Sequence, residues 1–133
     1  MSSDLIIDVT PSEIVIALQE DKKLVELTRE RSGAKFAVGD IYLGKVKKIM
    51  PSLNAAFIDV GYEKDAFLHY LDLGPQFATL NKFDRIAISK KNKLSSIGRL
   101  QSEPDINKEG KISELLYEGQ RILVQVSKEP IST

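Results

Sequence analysis

The 133-residue chain contains no cysteine and no tryptophan. Without cysteine there is no disulfide scaffold, no zinc–thiolate site and no thiol nucleophile. Histidine is almost absent as well. His69 stands alone, so sites built on two histidines, such as the HExxH metalloprotease helix, are excluded. No apolar run approaches the roughly 20 residues of a membrane-spanning helix. The opening MSSDLIIDVT lacks both the basic start and the apolar core of a secretory signal. A cytoplasmic location is the expectation. Net charge is missing too, with 19 basic against 19 acidic side chains, so bulk charge gives no argument for a nucleic-acid partner.

What is present is an ordinary globular composition, 42% apolar and 29% charged, enough for one domain with an appendage. Charge is unevenly placed. Residues 1–35 carry five basic and seven acidic side chains, whereas residues 36–128 carry fourteen basic and eleven acidic. Between Lys82 and Arg99 six basic residues (Lys82, Arg85, Lys90, Lys91, Lys93, Arg99) meet a single acid, Asp84. Such a run reads either as a solvated loop or as a local basic patch.

Short β-type segments recur, with almost no helical periodicity. Residues 4–29 read as a β-hairpin turning at Gln19–Lys23, followed by a linker over Arg29–Lys35. Val38–Met50 reads as a long strand in which Gly44 signals a sharp coil or a close backbone approach. Asn54–Val60 and Asp65–Tyr70 are short strands joined through a loop containing Gly61, and Gln120–Lys128 is a strand by alternation. From about residue 75 to 110 the pattern dissolves into a long loop, and Lys111–Tyr117 is compatible with one helical turn. The class predicted is mainly β, a small antiparallel barrel preceded by a hairpin.

Alternation assigns the faces of the two central strands. Ala56, Ile58 and Val60 form an apolar inner row, and Ala66, Leu68 and Tyr70 a second. Ala55, Phe57 and Asp59, with Asp65, Phe67 and His69, then point outward. A loop over residues 60–64 sets Phe57 opposite Phe67, Asp59 opposite Asp65, and Ala55 opposite His69. Paired outward aromatics are a platform on which unpaired bases stack, at about 1–3 kcal/mol per base. Lys45, Lys47 and Lys64 are at hand for phosphates. Pattern alone leaves a second reading open, with both rings covered by the long loop or the hairpin. His69 reads equally as a capping residue, and Asp59 with Asp65 as a solvated pair or the start of a metal site.

The string from Gly39 to Leu73 resembles the S-one RNA-binding domain, a five-stranded barrel of the oligonucleotide/oligosaccharide-binding (OB) fold. The residues carrying the likeness are Gly44-Lys45-Val46, Phe57-Ile58-Asp59-Val60-Gly61 and Phe67-Leu68-His69. The likeness is closer to one family. Ile41-Tyr42 with Gly44-Lys45-Val46, Met50-Pro51-Ser52-Leu53 and Ala55-Ala56-Phe57-Ile58-Asp59 resemble the N-terminal region of bacterial ribonucleases E and G. Val9-Thr10-Pro11-Ser12-Glu13 and the stretch from Glu118-Gly119-Gln120 to Lys128-Glu129-Pro130 do so too.

That resemblance implies residues 1–35 as part of a ribonuclease-H-like subdomain, 36–128 as an S-one barrel with a long loop at about 75–110, and 129–133 as a truncated tail. The barrel's last strand is expected to be missing. It implies single-stranded RNA as partner, in messenger decay and ribosomal RNA maturation, with Phe57 and Phe67 stacking on a base. His69 lines the same surface, and Lys45 and Lys64 are assigned to phosphates. The lysine that the family sets beside the aromatic pair is missing, which implies weakened affinity. Catalytic magnesium aspartates and a zinc-linking Cys-x-x-Cys are expected outside this chain, so no cofactor and no catalytic residue is assigned within it. Open sheet edges imply self-association. The alternatives are a free-standing S-one-type protein acting in translation or as an RNA chaperone, and an adaptor for protein or oligosaccharide with its aromatics buried.

Overall fold

A computed structural model describes residues 2–31, 36–89 and 100–131. It divides into two compact units, Met1–Phe36 and Ala37–Thr133. The first is a three-stranded antiparallel meander: β1 (Ser3–Val9), β2 (Glu13–Glu20) and β3 (Lys23–Arg31), in that order. The expected hairpin is therefore one strand short, and Arg29–Arg31 belong to β3 rather than to a linker. The missed division lies at Thr10–Ser12. There Thr10 Oγ1 accepts from the Glu13 N–H at 3.1 Å, so a side chain closes a turn between two apolar runs. The second turn puts Asp21 and Lys22 at φ of 50° and 66°, as a two-residue hairpin loop requires.

Register puts Leu5, Ile7 and Val9 opposite Leu18, Ile16 and Ile14. Six aliphatic side chains thus share one face of this sheet. The β1 residues are well exposed within the unit, Leu5 at 63% and Val9 at 67%.

The second unit holds a four-stranded antiparallel sheet curled into a half-barrel, in the order β6-β5-β4-β7. Its strands are β4 (Ile41–Met50), β5 (Ala55–Asp59), β6 (Ala66–His69) and β7 (Arg121–Gln125). The fold is mainly β and OB-like. Val46, Ala56, Ile58 and Ile122 point inward and are buried, with Ile112, Leu116, Tyr70 and Phe77 closing the core. Gly44 sits where a Cβ would lie 2.5 Å from Ile58 Cγ2, so the close approach expected there is real.

Among the described residues two helices complete the unit, α1 (Phe77–Ser89) and α2 (Ile112–Leu115). α2 is the expected single turn. α1 lies inside the segment read as a loop. Its inward positions include Phe77, Asn81 and Asp84, and two of those three are polar, which hid the periodicity. The polar pair is used. Asn81 Oδ1 accepts from Gln120 Nε2 at 2.7 Å, and Asp84 Oδ2 accepts from the Leu123 N–H on β7 at 3.4 Å.

Candidate nucleic-acid interface

The site begins with the β5–β6 pairing. Ala55 faces His69, Ala56 faces Leu68, and Phe57 faces Phe67, the register that a symmetric loop dictates. Phe67 is 54% exposed and Phe57 half-buried. Their ring centroids are 5.9 Å apart with planes inclined at 66°, an edge-to-face pair. Both rings therefore lie on the outer face and not in the core. Ala55, expected on that open face, is completely buried. The neighbouring Asn54 explains this: its side chain donates to Gly110 O and accepts from the Ile112 N–H, holding residues 110–112 against that end of β5. The open face begins at Phe57.

A bulge in β4 decides which lysine stands beside the rings. Val46 pairs with Ile58, but the next pair is Lys48 with Phe57, because the register shifts between them. Lys48, Phe57 and Phe67 thus form one row across three strands. Lys48 was not among the lysines singled out from the sequence. The signal was there: Lys47-Lys48 puts two polar residues in succession inside an alternating strand, the mark of a bulge. Lys47 is engaged elsewhere, its Nζ 3.1 Å from Asp65 Oδ2.

The remaining assigned residues fall in different places. Lys45 lies in the next row, between Asp59 on β5 and Arg121 on β7. Lys64 is drawn to the chain's far end, where its Nζ donates to Ile131 O at 2.6 Å. His69 caps the turn Tyr70–Asp72. Its Nδ1 accepts from the Leu71 N–H at 3.0 Å, and its own N–H donates to Asp72 Oδ2 at 3.0 Å. With Nδ1 accepting, a neutral ring carries its proton on Nε2. Asp59 Oδ1 accepts from the Gly61 N–H, and Asp65 is taken by Lys47, so these two carboxylates have separate partners. Among the described residues no three His, Asp or Glu side chains converge on a metal position. Lys82, from the basic run, pairs with Glu103 at 3.0 Å, and the expectation for Lys90–Arg99 lies outside the described residues.

No family model matches the chain. Individual relatives do. Ribonuclease G of Haemophilus influenzae is 38% identical over 130 residues, covering 98% of this chain and 23% of the relative. Ribonuclease G of Escherichia coli K12 is 34% identical over 133 residues, 100% of this chain and 23% of the relative. Ribonuclease E of a Synechocystis species is 44% identical over 94 residues, 70% of this chain and 10% of the relative. This chain belongs to the ribonuclease E/G family.

It spans about a quarter of the length of the ribonuclease G relatives it matches, 23% in both. Within this ribonuclease E/G-family segment, the aromatic pair with Lys48 joins ring faces to a cation in one cross-strand row. No helix among its described residues is long and apolar enough to cross a membrane.

Proposed function

We propose that the unit Ala37–Thr133 binds single-stranded RNA, as the RNA-holding part of a ribonuclease E/G-type endoribonuclease acting in the cytoplasm in messenger decay and ribosomal RNA maturation. The observation that carries this reading is the Lys48–Phe57–Phe67 row on the outer sheet face. Two rings offer stacking surface to any base, and the adjacent ammonium neutralises a phosphate. Lys45, one row away, adds a second cation.

Chemistry falls to the longer protein. Magnesium, and zinc at a Cys-x-x-Cys link, are proposed to belong to parts of the relatives beyond this segment. β1–β3 are assigned to a ribonuclease-H-like subdomain. The isolated chain is expected to self-associate through its sheet edges.

The test is fluorescence anisotropy of a labelled single-stranded RNA about ten nucleotides long. The parent chain is compared with Phe57→Ala/Phe67→Ala at two salt concentrations. Loss of one stacked base weakens binding about tenfold or more. Equal affinity in the double variant would refute the platform.

A further inference from the structure

The outer face does not stop at the aromatic row. Arg121 pairs with Lys45 on β4, and Lys45 with Asp59 on β5, so Arg121 shares the face of Phe57. From β5 to β7 is two strand spacings, about 10 Å. At the β7 end, Arg121 enters a cleft of about 280 Å³ whose wall also includes Arg85 and Ile88 of α1, Tyr117 and Gly119. Tyr117 is 56% exposed. Neither arginine has an ion-pair partner among the described residues, and no acidic side chain lines the cleft. Two uncompensated guanidinium groups beside an open ring form an anion site with a stacking surface.

The cleft is also held in shape. Gln120, at its base, is buried. Its Oε1 accepts from the Tyr117 N–H at 3.1 Å, while its Nε2 donates to Asn81 on α1 at 2.7 Å. One turn along α1, Asp84 accepts from Leu123 N–H and fixes the helix, and with it the neighbouring Arg85, against β7. The arginines belong to different elements whose separation is set by buried polar contacts. Such a preorganised pair loses little entropy on engaging a ligand.

We propose that this cleft is a second RNA subsite. The strand leaves the Phe57–Phe67 platform, crosses β4 over Lys48 and Lys45, and enters between α1 and β7. There Arg85 and Arg121 hold phosphate and Tyr117 stacks on a base. This rests on the platform reading above and extends it by further nucleotides.

The experiment uses the full 133-residue chain and the same labelled RNA of about ten nucleotides. Log K is followed against log salt for the parent chain, Phe57→Ala/Phe67→Ala, Arg85→Ala/Arg121→Ala and Arg85→Lys/Arg121→Lys. Two phosphate contacts on single-stranded RNA contribute about 1.4 to the salt slope. The alanine pair should lower the slope by that amount, and the lysine pair should preserve it. Because the chain has no tryptophan, Tyr117→Trp provides a sole indole reporter, and RNA should quench it. No RNA binding by the parent chain refutes the platform and this extension together. Binding that depends on Phe57 and Phe67, with the slope unmoved by the arginine pair and the indole unquenched, overturns the second subsite alone.

Discussion

Lys48 shows how a single residue's role turns on local backbone. Alternation from Val46 would set Lys47 beside Phe57, but the bulge puts Lys48 there and leaves Lys47 to Asp65. Lys48→Ala is therefore expected to weaken RNA binding and to lower the salt slope by about 0.7. Lys64→Ala should lower it less, since the Lys64 Nζ donates to Ile131 O and lies outside the Lys48–Phe57–Phe67 row. Equal slopes for both variants would remove Lys48 from the interface. The Phe57–Phe67 pairing was legible in the sequence because period-two alternation and a symmetric loop both specify it. The identity of the flanking lysine was not, because a bulge inserts one residue into the count. Gly110 gives a stability test of the same scale. A Cβ there would meet Tyr70 Cζ at 2.8 Å, and Tyr70 is buried and donates its hydroxyl proton to Asn107 O. Gly110→Ala should destabilise by about 1–3 kcal/mol, read as a lower urea midpoint.

Among the elements, α1 was the least legible. Asn81 and Asp84 interrupt the inward face of this helix, so beyond the buried Phe77 what docks it is polar: Gln120 and the Leu123 N–H. That docking is sensitive to pH. Burial raises the Asp84 carboxyl above its ordinary range, against a smaller lowering by the Leu123 N–H. The folded state therefore keeps the proton to higher pH than the unfolded chain does. This contribution to stability is complete below the ordinary carboxylate pKa and is lost as pH rises through the raised value. Asp84→Asn should flatten that part of the stability curve in urea melts taken between neutral pH and the ordinary carboxylate range. An unchanged curve would mean that Asp84 titrates as it does in the unfolded chain. The meander β1–β3 was legible as β structure from its branched residues, but not as three strands, because Thr10 closes a turn that has no glycine. With Leu5, Ile7 and Val9 exposed on β1, the isolated chain should show a concentration-dependent mass by light scattering. Leu5→Lys/Ile7→Lys should suppress it, and a monomer at all concentrations would contradict self-association.

For the whole molecule, the division into Met1–Phe36 and Ala37–Thr133 has a thermal consequence. Each unit has its own sheet, so two-state unfolding is not expected. Gly110→Ala should shift the transition that belongs to the half-barrel and leave the other in place. A single transition moving as one would show that the units unfold together. Net neutrality coexists with local basicity, because acids outnumber bases seven to five in residues 1–35 while bases outnumber acids fourteen to eleven in residues 36–128.

Asn54 links distant parts of the chain. Its carbonyl accepts from the Tyr70 N–H at 2.9 Å, and its side chain bonds Gly110 O and Ile112 N–H, more than fifty positions away in sequence. The excursion that leaves the sheet after β6 and returns before β7 is clasped at both roots by one side chain and its backbone. The half-barrel is thereby uncoupled from the length of what is spliced into that excursion. The register of the Phe57–Phe67 pair is therefore expected to hold whatever the length of that excursion.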